Sequence, residues 1–153
     1  MAGIMKLTTQ LAVISVLVEN QDEALKFYTE KLGLEKRADI TYGPGLRLLT
    51  VAAKGQQKPV LALARPDATL HGIERVKELM KRPEQPRIFD TDDCWKAYAM
   101  LRERGVNFVS IPTKQLYGVE ATFEDPYGNT FLLLEVAPEV RLQLKQYSVG
   151  TAA

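Results

Sequence analysis

The chain has 153 residues, 46% of them hydrophobic, which is enough to bury one globular core or two small fused ones. Twenty lysines and arginines against 19 aspartates and glutamates leave a net charge of +1, so no long-range field gathers polyanions, and nucleic acid is not expected as a partner. No apolar run reaches the roughly 18 residues that cross a bilayer, and Met1 to Gln10 lacks the basic start and apolar core of a secretory signal, so no membrane partner and a cytoplasmic location are expected.

Leu11 to Val18 is a short apolar run rich in β-branched residues, whose stiff side chains pack well on a pleated surface, and it predicts a strand. Asn20 with Glu23 three positions later is a helix-start signature. The helix is expected from about Gln21 to Leu32, with Ala24, Leu25, Phe27, Tyr28 and Leu32 on one side and Gly33 ending it. Leu34 to Thr41, Leu46 to Ala53 and Pro59 to Ala64 read as three strands, separated by Tyr42-Gly43-Pro44-Gly45 and by Lys54-Gly55-Gln56-Gln57-Lys58. Residues 1–65 therefore form a first βαβββ module. The polar, proline-bearing stretch over 66–85 is expected to be a linker with a possible short helix at Leu70 to Lys81.

The same order then returns over 86–136. A strand at Arg87 to Thr91 precedes an Asp92-Asp93 helix start, and the helix Cys94 to Arg104 again ends in glycine, Gly105. Val106 to Ile111, Tyr117 to Glu124 and Asn129 to Val136 complete the strands, the last two joined by the turn Asp125-Pro126-Tyr127-Gly128-Asn129. Residues 137–153 form a tail with a helical turn or two around Glu139 to Tyr147. Two tandem βαβββ modules place the chain in the α+β class.

Val18-Glu19-Asn20-Gln21-Asp22-Glu23-Ala24-Leu25-Lys26-Phe27-Tyr28 followed by Lys31-Leu32-Gly33-Leu34 resembles the first module of the vicinal oxygen chelate family, the glyoxalase, bleomycin-resistance and extradiol-dioxygenase group. Leu101-Arg102-Glu103-Arg104-Gly105-Val106 and Asp125-Pro126-Tyr127-Gly128-Asn129 resemble that group's second helix exit and final hairpin. The resemblance spans about residues 11 to 136. It implies a paired, cavity-enclosing eight-stranded mixed sheet, a small-molecule ligand and a homodimer. In the family's metal enzymes four cavity positions supply His, Gln or Glu. Here they fall on Val13, on Leu61 or Ala62, on Pro86 and on Leu132, none of which offers carboxylate or imidazole. No metal and no cofactor are therefore expected.

Alternation assigns Val13, Ser15 and Leu17 to one face of the first strand, and Leu132 with Leu134 to one face of the last, with Glu135 on the other. Those five residues, with Arg47, Ile88, Asp90 and Tyr117, are the expected cavity lining. Arg47 reads either as an anion partner at the opening or as a solvent-exposed strand residue, and Tyr117 either as a pocket aromatic or as an edge filler. Asp90, Asp92 and Asp93 suit helix capping, although alternation from Ile88 turns Asp90 inward. Glu120 and Glu124 read as solvated, with one of them a conceivable general base. The only histidine, His71, falls in the linker as an exposed loop residue, while Cys94, Trp95 and Tyr98 read as packing residues. Catalytic residues are unassigned.

Two functions fit these residues. One is a metal-free protein holding a small, partly apolar compound. The other is a glyoxalase-like lyase, isomerase or dioxygenase with non-standard metal ligands, or a metal-free acid–base catalyst. A third possibility is a vestigial pocket whose shell serves dimerisation.

Overall fold

The computed structural model describes residues 11–65 and 87–143. The expected linker with His71, the alignment position Pro86 and residues 144–153 of the tail lie outside the described residues. The chain divides into two compact units, residues 1–79 and 80–153.

In the first unit, β1 (Val13–Leu17) leads into α1 (Gln21–Lys26), which continues as a wider helical turn over Phe27–Lys31. Then come β2 (Glu35–Gly43), β3 (Leu46–Ala52) and β4 (Val60–Ala64). The Asn20 side chain accepts the Glu23 N–H at 2.9 Å and satisfies one of the free donors at the start of α1. At the other end the Leu32 N–H reaches back to the Phe27 carbonyl and the Thr29 hydroxyl bonds to the Leu25 carbonyl, so the last turn is wider than an α-turn. Gly33, at φ 78°, then reverses the chain where an L side chain would be strained. The sheet order is β1-β4-β3-β2. β1 and β4 are parallel, a pairing a tight hairpin cannot make, and the stretch from α1 through β3 supplies the crossover.

The second unit repeats this plan. β5 (Arg87–Asp90) is followed by α2 (Cys94–Glu103), capped by the Asp93 carboxylate accepting the Lys96 N–H at 3.0 Å. Next are β6 (Asn107–Phe108), β7 (Thr113–Gln115), β8 (Gly118–Glu124) and β9 (Thr130–Val136). The order is β5-β9-β8-β6, with β7 also on β8, and β5 is parallel to β9.

The strand expected over 106–111 is shortened to Asn107–Phe108 and a further short strand, Thr113–Gln115, follows it, so the described residues hold nine strands. The Val109 and Ser110 N–H groups both point to the Thr122 carbonyl, and the Ser110 hydroxyl takes the Thr122 N–H. Pro112 has no N–H to continue the ladder.

Each core lies between helix and sheet. In the first unit Val16, Val18, Tyr28, Leu49, Val51 and Leu63 are almost wholly buried. In the second, the Phe89, Phe123 and Phe131 rings stack or tilt against one another, and Tyr98 meets the cluster edge-on through Phe108. Trp95 departs from its expected packing role. Its ring touches Tyr98 but the residue is 57% exposed, because it lies beside rather than on the buried stripe of Cys94, Tyr98 and Leu101. In the turn between β8 and β9, the buried Asp125 carboxylate accepts the Tyr127 N–H, the Asn129 N–H and the Asn129 side-chain amide.

Candidate functional site: the helix-free sheet faces

A sheet that packs a helix on one face leaves the other for a ligand. Which residues take which face is settled by two contacts. In the first unit Arg47 of β3 reaches Asp22 of α1, so the face that carries Arg47, Leu49 and Val51 is the helix side. Register carries this assignment to Leu61 and Leu63 on β4 and to Ile14 and Val16 on β1. Val13, Ser15 and Leu17, with Val60, Ala62 and Ala64 beside them, take the helix-free face, together with Leu48 and Thr50 of β3. In the second unit the Glu135 carboxylate accepts the backbone N–H of Cys94 at the start of α2, so Phe131, Leu133 and Glu135 face the helix. Ile88, Asp90, Leu132, Leu134, Thr122 and Glu120 share the opposite face.

Arg47 requires a correction. It stands two residues from the buried Leu49 and shares its side of β3, away from Ser15 and Thr50. Its Nε and Nη2 hold both oxygens of Asp39 at 2.8 and 2.9 Å, and Nη1 holds Asp22 at 2.9 Å. The guanidinium donors that would meet an anionic ligand are taken up by the chain's own carboxylates. The bonds to Asp39 and then to Asp22 raise the Arg47 pKa, and the guanidinium in turn holds the Asp39 carboxyl below its ordinary value. It ties the start of α1 to the β2–β3 hairpin, and it leaves the candidate site.

Asp90 lies on the helix-free face of its sheet, but it is not a bare carboxylate. Arg141, from a helical segment over residues 138–143, grips it through two nitrogens at 2.7 and 3.2 Å and also reaches the Thr91 carbonyl. Tyr117 precedes β8, and its hydroxyl donates to Glu120. That bond and, to a lesser degree, desolvation push the phenol's pKa up. The backbone beside it is tightly fixed. Gly118 has φ 149°, a Cβ there would collide with the Glu135 carbonyl oxygen, and the Tyr117 carbonyl accepts the Ala137 N–H.

Glu120 is the residue that sequence reasoning left on the surface. Its position in the row with Asp90 and Leu134 depends on pairing between strands far apart in sequence. The only local sign was alternation in phase with Thr122.

The chain matches the model of the Glyoxalase/Bleomycin resistance protein/Dioxygenase superfamily over residues 10–133. It belongs to that superfamily. The uncharacterized protein YetH of Bacillus subtilis (strain 168) is 32% identical over 126 residues, covering 82% of this chain and 98% of YetH. A superfamily member from Sphaerobacter thermophilus DSM 20745, known by its crystal structure, is 32% identical at a TM-score of 0.70, covering 83% of this chain and 97% of that one. TnmS3, an antibiotic binding protein from Streptomyces sp. CB03234, is 30% identical at a TM-score of 0.69, covering 87% of this chain and all of its own.

Membership in the superfamily implies a metal in some branches, and the residues here do not fit one. Val13 and Leu132 stand on the helix-free faces at the aligned ligand positions, and neither they nor Leu61 or Ala62 carry a donor atom. Glu135, the nearest carboxylate on β9, is turned to α2. Among the described residues no group of three or more His, Cys, Asp or Glu side chains could hold an ion, and no helix is long and apolar enough to cross a membrane.

Proposed function

We propose that the protein is a cytoplasmic homodimer that binds a small, partly apolar molecule against its helix-free sheet faces without a metal ion. The observation that carries this reading is the chemistry of those faces. Val13 and Leu132 occupy two of the positions where the resemblance places ligands in metal enzymes, and the neighbouring residues are aliphatic with a few hydroxyls and carboxylates, the composition of a small-molecule site. Similarity to an antibiotic binding protein at 30% identity supports binding over catalysis. The pairing of modules between chains in this family supports the dimer, and a lone buried thiol suits a reducing compartment.

Metal analysis of the purified protein, melting curves with and without chelator, and a melting-curve screen of aromatic and heterocyclic compounds test the reading together. The expected result is no stoichiometric divalent metal, no effect of chelator and stabilisation by a subset of compounds. One ion per chain, or turnover that appears on adding Ni²⁺, Mn²⁺, Fe²⁺ or Zn²⁺, would overturn it. Light scattering at micromolar concentration checks the dimer, and a monomer mass would remove that part.

A further inference from the structure

Register lines up Asp90, Leu134 and Glu120 in one row across β5, β9 and β8, with Ile88, Leu132 and Thr122 in the next. Neighbouring strands are about 4.8 Å apart, so the backbones of the two acids stand roughly 10 Å from each other with Leu134 between them. Their surroundings differ. Asp90 is neutralised by the two-nitrogen grip of Arg141. Glu120 receives the Tyr117 hydroxyl, a neutral donor, and among the described residues no lysine or arginine forms an ion pair with it. A phenol fixes the position of a carboxylate and leaves its charge in place. The row thus holds one compensated acid and one uncompensated acid over an aliphatic surface, and it continues past Glu120 to Thr113 on β7.

We propose that Glu120, held by Tyr117 beside Leu134 and Thr122, is the acceptor subsite for the protonated amine of an otherwise apolar ligand. This deepens the reading that the helix-free face binds a small molecule and rests on it. The aliphatic row supplies contact area for the ligand's body, and the second carboxylate oxygen of Glu120 remains to accept an N⁺–H. A carboxylate-bearing ligand would instead meet like charge in a half-buried setting, and the face selects against it.

Titration calorimetry with naphthylmethylamine, naphthylacetamide and naphthylacetate, which share a ring system and differ in charge, tests this. The amine is expected to bind at least about tenfold tighter than the acetate, the range for a hydrogen bond to a charged group. Glu120→Gln, which keeps an acceptor for the Tyr117 hydroxyl, should bring the three within about threefold. Amide shifts of residues 118–121 during amine titration of the unsubstituted protein give a second readout that does not depend on the variant folding. Binding without preference for the amine, preference that survives Glu120→Gln, or shifts confined to other residues would overturn the subsite and leave the small-molecule reading standing. Failure of all three probes to bind at millimolar concentration would count against that reading itself and remove the subsite with it.

Discussion

Leu132 and Leu133 are adjacent in sequence and fall on opposite faces of β9, which makes them a direct test of the face assignment. Leu133 lies under α2 and is 5% exposed, whereas Leu132 is only partly buried on the helix-free side. Replacing Leu133 by glutamine removes a buried side chain worth about 2 kcal/mol of transfer free energy. It also places an amide among Phe89, Phe131 and Cys94 without a ready partner, at a further cost of about 1–3 kcal/mol. The expected loss is about 3–5 kcal/mol. Leu132→Gln lets its amide reach solvent and should cost about 1 kcal/mol or less. Urea unfolding followed by circular dichroism reads both, and the slope of the transition should stay unchanged. Equal costs, or a larger cost at Leu132, would mean that β9 is displaced by one residue. Such a slip would exchange every side chain between the faces and remove the candidate site.

Two substitutions and one thiol-reactivity measurement probe the supports of the two units. Asp125→Ala strips the partners from two turn N–H groups and the Asn129 amide in a buried setting, and a loss of about 2–4 kcal/mol in urea unfolding is expected; a cost near zero would show that the turn does not rely on this carboxylate. Arg47→Met should flatten the acid limb of the stability curve. Asp39 has a folded-state pKa below its ordinary value of about 3.9, so its contribution is present above that pH and is lost as pH falls through the folded value. Unfolding measured from pH 6 down to pH 2 checks this, and identical limbs for variant and parent would refute it. Cys94 is fully buried, and burial, with smaller effects from Glu135 and Asp93, pushes its thiol pKa up. Reaction with a disulfide reagent at neutral pH should be at least about tenfold slower in the native protein than in urea, and equal rates would contradict the packing role.

The order of elements was legible because its signals are local. Asn20 and Asp93 cap their helices through side chains visible in the sequence, and Gly33 and Gly105 take the left-handed backbone that ends them. Alternation within one strand was enough to separate Leu132 from Glu135. It did not suffice for Arg47, because the phase of β3 depends on how its turn is closed, and an irregularity in the pairing with β2, between Thr41 and Gly43, lies beside it. The break between β6 and β7 was foreshadowed by Pro112, but the hydrogen bonds that accommodate it involve Thr122, a residue ten or more positions away. The row of Asp90, Leu134 and Glu120 needed the pairing of three strands, two of them more than forty residues apart.

The two faces of each sheet differ in how their polar groups are used, and under the proposed function this difference bears on how the site can vary. Three polar groups on the helix sides are spent internally. Arg47 holds α1 to the hairpin, Gln21 bonds to the Leu63 carbonyl, and Glu135 satisfies the first N–H of α2. Removing any of them leaves partly buried groups unpaired, so the cost falls on stability. On the helix-free face of the second sheet, Glu120 and Thr122 stand among half-buried aliphatic residues, where exchange leaves the packed aromatic cluster behind them intact. Substitutions there should alter binding with little change in unfolding free energy. That division would allow one scaffold to lose its metal donors and acquire new ligand contacts without first being restabilised.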